Sequence, residues 1–344
     1  MNIQDLIRPT IKALKPYSSA RDEFQGNSDD MIFLDANENP FENGVNRYPD
    51  PQQRTVKSLL SEIKGIPQAN ILLGNGSDEV LDLIFRAFCE PNEDNIITLP
   101  PTYGMYSVLA NINAIKIKSV QLDDNFQPKA DEVLQIADLK SKLLFLCSPN
   151  NPTGNSFEAK SIEKLIKKFN GIVVIDEAYI DFSNEESWAN RLNEFPNLIV
   201  TQTLSKAYGM AGIRLGICYA SKEIISVLNR IKPPYNVNEL TQQKAISQLE
   251  QSELTKQQVV DILNERNVLI NKLKEVNYIS EIYPSDANFV LAKVDDATKR
   301  YNQLIENGIV IRNRTTQPGC ENCLRFTIGT TVENKILIDT LNSI

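Results

Sequence analysis

Ile172-Val-Val-Ile-Asp-Glu-Ala-Tyr179 opens with four β-branched residues in a row and then turns abruptly acidic. A run with no polar alternation reads as a strand buried on both faces, the kind found in parallel sheets. Similar short runs occur at 95–99, 143–147 and 198–201. Helical periodicity lies near them. Residues 77–88 place Val80, Leu81, Leu83, Ile84 and Phe88 on one face, with Ser77 as the expected N-cap, and 159–169 repeats the pattern. Strands interleaved with helices predict an α/β unit built on a mostly parallel sheet.

Beyond residue 240 the texture changes. A long helix is expected over 254–273, short strands at 288–292, 309–311 and 324–328, and helices near 296–307 and 331–343. The expected organisation is an arm over 1–45, packing with the small domain and a dimer partner. A large α/β domain follows over 46–240, and a smaller α+β domain over 241–344. No repeat, dinucleotide-binding glycine motif or P-loop is present.

The 344 residues carry a net charge of −8, which disfavours a general nucleic-acid binder. The chain contains no histidine. Imidazole-based hydrolase triads and most zinc sites are thereby excluded, no metal is expected, and acid–base work falls to lysine, carboxylate or tyrosine. Five cysteines, two of them in Cys320-Glu-Asn-Cys323, do not form a disulfide framework pattern. The first ten residues lack the apolar core of a signal peptide, and no stretch is apolar enough to span a membrane. A cytoplasmic protein is expected.

Several segments bear chemistry. Thr203-Leu-Ser-Lys-Ala-Tyr-Gly-Met-Ala-Gly-Ile-Arg-Leu-Gly216 follows a strand and combines a lysine, small residues and an arginine. Lys206 suits a Schiff base with an aldehyde, while Ser205 and Arg214 suit a phosphate on the same molecule. Asp176 sits just past a buried strand, where open α/β sheets bind ligands, and a pyridinium nitrogen would satisfy its charge. Tyr179 and Asn151, the latter from Cys147-Ser-Pro-Asn-Asn-Pro-Thr-Gly154, suit a ring hydroxyl. Leu73-Gly-Asn-Gly-Ser-Asp-Glu79 opens a helix whose free N–H groups at Gly76, Ser77 and Asp78 make an anion site. Tyr103 is placed to stack on a flat ring. Together these describe a phosphorylated pyridine aldehyde.

In these motifs the chain resembles the class II, fold-type I pyridoxal-phosphate (PLP) aminotransferases over nearly its whole length. Leu14-Lys-Pro-Tyr-Ser-Ser-Ala-Arg21, Leu34-Asp-Ala-Asn-Glu-Asn-Pro40, Arg47-Tyr-Pro-Asp-Pro-Gln52 and Cys323-Leu-Arg-Phe-Thr-Ile-Gly-Thr330 resemble the branch acting on histidinol phosphate. The resemblance implies Lys206 as the catalytic lysine, Asp176 on the ring nitrogen, and Asn151 and Tyr179 on the phenolate. It places Gly76, Ser77, Thr203, Ser205 and Arg214 around the phosphate. It implies a homodimer in which Tyr48 reaches the neighbouring cofactor. Arg325 would hold the substrate's anionic end, with Tyr17, Asn39 and Asn288 nearby. The implied reaction is reversible exchange of an amino group between histidinol phosphate and 2-oxoglutarate, in histidine synthesis. An aromatic amino acid aminotransferase and a threonine-phosphate decarboxylase-like lyase are the alternatives on the same scaffold.

Overall fold

The computed structural model describes residues 2–15 and 31–344. A seven-stranded sheet organises the larger unit. In chain order its strands are β1 (Ile71–Asn75), β2 (Asn95–Thr98), β3 (Lys116–Ser119), β4 (Ser141–Cys147), β5 (Ile172–Asp176), β6 (Leu198–Thr203) and β7 (Leu215–Ala220). Their spatial order is β1-β7-β6-β5-β4-β2-β3. Strand β7 runs antiparallel to both neighbours, and the remaining pairs are parallel.

Side chains alternate across this sheet as the strand period requires. Leu144, Leu146, Val173, Ile175, Leu198 and Val200 face one core. Leu143, Phe145, Cys147, Ile172, Val174 and Ile199 face the other. Both faces are covered, which is why these strands carry no polar alternation. On the first face lie α1 (Arg54–Lys64) and, after α2 (Ser77–Phe88), α3 (Met105–Ile112) and α4 (Ala130–Ile136), also α5 (Ala159–Lys168). Helices α2, α3 and α6 (Lys222–Ile231) cover the second face. Phe85 and Phe88 of α2 are fully buried there, each contributing about 1.5–3 kcal/mol of apolar transfer free energy. Ile3, Leu6 and Ile7 join the same core, and the Arg8 N–H donates to the Ala87 carbonyl. Residues 3–8 of the expected arm thus dock on the larger unit.

Helices α7 (Glu239–Leu249) and α8 (Ser252–Leu273) lead into a four-stranded antiparallel sheet. Its strands are β8 (Ile279–Ile282), β9 (Phe289–Val294), β10 (Arg312–Asn313) and β11 (Cys323–Thr327), ordered β10-β11-β9-β8. Helix α9 (Ala297–Glu306) and α10 (Thr331–Ser343) pack on it through Leu304, Leu337 and Leu341. Thr330 and Glu333 form a reciprocal capping box at the start of α10.

Two local expectations are corrected. The strand read at 309–311 falls at Arg312–Asn313, because the ladder pairs Arg312 with Arg325 and Asn313 with Leu324. The N-cap of α2 is Gly76, not Ser77; it has φ +80° and no side-chain cap. Among the described residues no helix is long and apolar enough to cross a membrane.

Candidate active site

The parallel strands end together. Cys147 of β4 pairs with Asp176 of β5, and Asp176 pairs with Thr201 of β6. Their carboxyl ends open into a cavity of about 500 Å³. Ser77, Asp78, Tyr103, Asn151, Asp176, Tyr179, Thr203, Ser205, Lys206, Arg214 and Arg325 all line it. Most of these segments converge there because the parallel strands bring their carboxyl ends to one edge of the sheet, whereas Arg325 comes from β11 of the smaller sheet.

The Asp176 carboxylate is buried at the cavity floor. The Tyr106 hydroxyl donates to its Oδ2 at 2.8 Å and the Ala178 N–H to its Oδ1 at 3.2 Å. Burial pushes this carboxyl's pKa upward, and these hydrogen bonds oppose the shift. Lys206 stands on the turn after β6, with Nζ 5.6 Å from the centre of the Tyr179 ring. Desolvation by the cavity walls lowers its pKa, and the nearby Arg325 charge adds to the effect. Asp176 and Asp78 pull the other way.

Helix α2 starts at this cavity with its first N–H groups uncapped by any side chain. Those donors and the helix dipole favour an anion. A Cβ on Gly76 would lie 2.6 Å from Arg214 Nη2, so glycine is what lets that guanidinium close over the helix start. Arg214 is 3.7 Å from Asp78, with both side chains substantially exposed. Such a pair contributes little and leaves the guanidinium available to a phosphate. The Tyr103 hydroxyl donates to Asp78 at 3.1 Å, which sets that ring as a side wall. The uncapped helix start, the Gly76–Arg214 cradle, the buried Asp176 and the lysine of lowered pKa together fit PLP.

Arginines also line the cavity. Arg325 Nη1 donates to the Asn151 side-chain Oδ1, and Asn151 Nδ2 lies 3.5 Å from the Tyr179 hydroxyl. Burial, together with Arg314 and Arg312, lowers the Arg325 pKa to about 10. The Nε atoms of Arg314 and Arg325 are buried with no acceptor among the described residues. Three neighbouring guanidinium groups, two of them with unused buried donors, call for an anion.

Five expected residues are not among those that line the cavity. Gly76 immediately precedes the lining residues Ser77 and Asp78, as the N-cap of α2. Tyr17 lies outside the described residues. Asn39 is exposed, and its side chain accepts from the Phe41 N–H. Tyr48 is 51% exposed and stacks on Tyr235 at 4.4 Å. Asn288 is half-buried, with its carbonyl accepting from Ile328. Conversely, sequence reasoning missed Arg312, Arg314, Gln317 and Tyr106. The basic spacing in Ile311-Arg-Asn-Arg-Thr315 was the available signal for the arginines.

The fold and this cavity define a PLP-type aminotransferase scaffold, and residues 31–341 match the family described as aminotransferase class I and II. The chain is 64% identical to a histidinol-phosphate aminotransferase of Flavobacterium johnsoniae, covering 99% of this chain and 98% of the relative. It is 54% identical to one from Parabacteroides distasonis, over 99% of each. A solved histidinol-phosphate aminotransferase from Clostridium acetobutylicum superposes with a TM-score of 0.80 at 24% identity, covering 87% of this chain and 90% of that one. Another from Sinorhizobium meliloti, in complex with pyridoxal-5'-phosphate, gives 0.80 at 23% identity over 86% and 82%. The chain therefore belongs to the class I and II aminotransferases and, within them, to the histidinol-phosphate aminotransferases.

Proposed function

We propose that this chain uses PLP to exchange an amino group reversibly between L-histidinol phosphate and 2-oxoglutarate, giving imidazole acetol phosphate and L-glutamate in histidine synthesis. One observation carries the reading. A single cavity is lined both by Lys206 and Asp176 and by Arg312, Arg314 and Arg325. Transamination needs the first set, and a phosphate-bearing substrate needs the second.

When bound, the cofactor supplies an aldehyde that takes up amino groups and a protonated ring that accepts the electron pair released at the substrate carbon. Asp176 would hold the proton on the ring nitrogen. Asn151 Nδ2 and the Tyr179 hydroxyl would donate to the ring oxygen, and Tyr179 stays a donor because burial raises its pKa. Thr203, Ser205 and Arg214, with the Ser77 hydroxyl and the backbone N–H groups of Gly76, Ser77 and Asp78, would hold the cofactor phosphate. Tyr103 would cover the ring. Lys206 Nζ, its pKa lowered, is available as a neutral amine that would take the proton from the substrate Cα and return it, across the transferred nitrogen, to the carbon supplied by the cofactor's aldehyde. Arg325, with Arg314 and Arg312, binds either the phosphate of one substrate or a carboxylate of the other, since a guanidinium fork fits both. Tyr17, Asn39 and Asn288 belong to the substrate's surroundings in this reading.

A homodimer completes the site. Ile32, Leu34, Phe41, Val45 and Tyr48 form an exposed apolar run that a monomer would leave in water. Tyr48 lies on it, where it reaches the cofactor phosphate of the second subunit. The setting is cytoplasmic.

The test is steady-state formation of glutamate from 2-oxoglutarate. L-histidinol phosphate should give a higher kcat/KM than phenylalanine or tyrosine. Preference for the phosphate-free aromatic donors would replace the substrate assignment, and release of carbon dioxide from a phosphorylated amino acid would replace the reaction.

A further inference from the structure

In a chain without histidine, the donor behind Asp176 is a phenol. Tyr106 is 0% exposed, and its ring stacks on Phe145 with centroids 4.7 Å apart at an interplanar angle of 18°. Tyr103 meets it edge-on at 5.6 Å. Phe145 stacks in turn on Phe85 of α2 at 5.2 Å. The hydroxyl, fixed by this packing, reaches Asp176 Oδ2 at 2.8 Å, while Oδ1 takes the Ala178 N–H. We infer that Tyr106 is a positioning residue that keeps the Asp176 carboxylate ionised and aimed, so that Asp176 can hold a proton on the cofactor's ring nitrogen.

The physical argument has two parts. A buried carboxylate with neutral donors reverts toward its protonated form when a donor is removed, and protonated Asp176 cannot pair with a pyridinium. A phenol hydrogen bond to the anion also makes the carboxylate a weaker base, so the proton between Asp176 and the ring stays on the ring. Tyr106 can only donate here, since burial and the neighbouring Asp176 and Cys147 push its own pKa far up. Asp78, Tyr103, Cys147, Tyr179, Lys206 and Arg214 are other ionisable groups lining the cavity. Tyr106 does not line the cavity, so its effect on the ring passes through Asp176.

The inference rests on the PLP reading, and its test separates the two. Cofactor-free protein is titrated with PLP and with the benzene analogue in which CH replaces the ring nitrogen, binding being followed by absorbance and by quenching of protein fluorescence. Wild type should prefer PLP. Tyr106→Phe keeps the stack and loses only the hydroxyl, so its PLP affinity should fall about tenfold or more while analogue affinity changes less than twofold. Phe145→Leu loosens the stack and keeps the hydroxyl, so both ligands should weaken alike. Equal losses for both ligands in Tyr106→Phe, or no loss for PLP, would overturn the role of Tyr106. Failure of wild type to bind PLP, or to distinguish it from the analogue, would instead overturn the cofactor reading on which it stands.

Discussion

Gly216 lies in β7, paired with Gly74 on one side and Thr203 on the other, and its backbone passes directly beneath the start of α2. A Cβ there would lie 2.3 Å from the Ser77 nitrogen, 2.4 Å from the Gly76 carbonyl carbon and 2.6 Å from the Gly76 oxygen. All three obstacles are backbone, so no side chain can swing away. Restoring ordinary contact at 3.4 Å requires the Ser77 nitrogen to recede by about 1 Å. Gly216→Ala should therefore cost about 2 kcal/mol of overpacking and lower the melting temperature by about 4–8 °C. The same shift moves the uncapped N–H groups that face the cofactor phosphate. Losing well-aligned bonds to a charged group should weaken PLP about tenfold to a hundredfold. Pyridoxal without its phosphate should bind wild type and variant almost equally. Titration of both ligands, with thermal unfolding alongside, provides the assay. Unchanged melting temperature and unchanged PLP affinity would refute the geometry. Equal loss of both ligands would show general damage to the cavity instead of a displaced phosphate cradle.

Further outcomes follow from other residues. Lys206→Ala should abolish turnover, a loss of at least about a thousandfold, while circular dichroism and thermal unfolding stay near wild type. Arg325→Lys should raise KM for histidinol phosphate and for 2-oxoglutarate together, because one fork is assigned to both anions; a rise for only one substrate would show separate sites. Lys57 is buried, with a pKa lowered to about 8 by desolvation and then by Lys232. Between about pH 8 and its ordinary value of 10.5 the unfolded chain binds a proton that the native chain does not, so this group's contribution makes stability rise with pH. Lys57→Met should consequently be more stable than wild type below pH 8, by up to about 3 kcal/mol, with the gap closing by pH 10.5; denaturant unfolding across that range measures it.

Much of the larger unit was legible because its strands are buried on both faces. Four apolar runs with no alternation, three of them ending in Pro, Ser or Asp, were enough to read a parallel sheet and the location of its ligand edge. Strands β1, β3 and β7 were not read. Lys116–Ser119 alternates weakly at an edge, and Ile71–Asn75 and Leu215–Ala220 are interrupted by glycines whose reason is close packing at Gly74 and Gly216. The residues flanking the cofactor were legible through turn chemistry next to strand ends. Arg312 and Arg314 were not, because their importance arises from a two-residue ladder with β11 that carries no periodic signal. Tyr106 was hidden for a different reason. It sits within a helix and reads as core, which it is, and only the fold reveals that its hydroxyl ends at Asp176.

The most direct test of the central claim is a spectrum. Purified protein loaded with PLP is mixed with L-histidinol phosphate in the absence of any acceptor, and 2-oxoglutarate is added afterwards. The absorbance of the bound aldehyde should convert fully to that of the amine form and then return, with neither change in Lys206→Ala. A loaded enzyme that ignores histidinol phosphate and responds to phenylalanine would contradict the assignment of the cavity's arginines to a phosphate-bearing substrate.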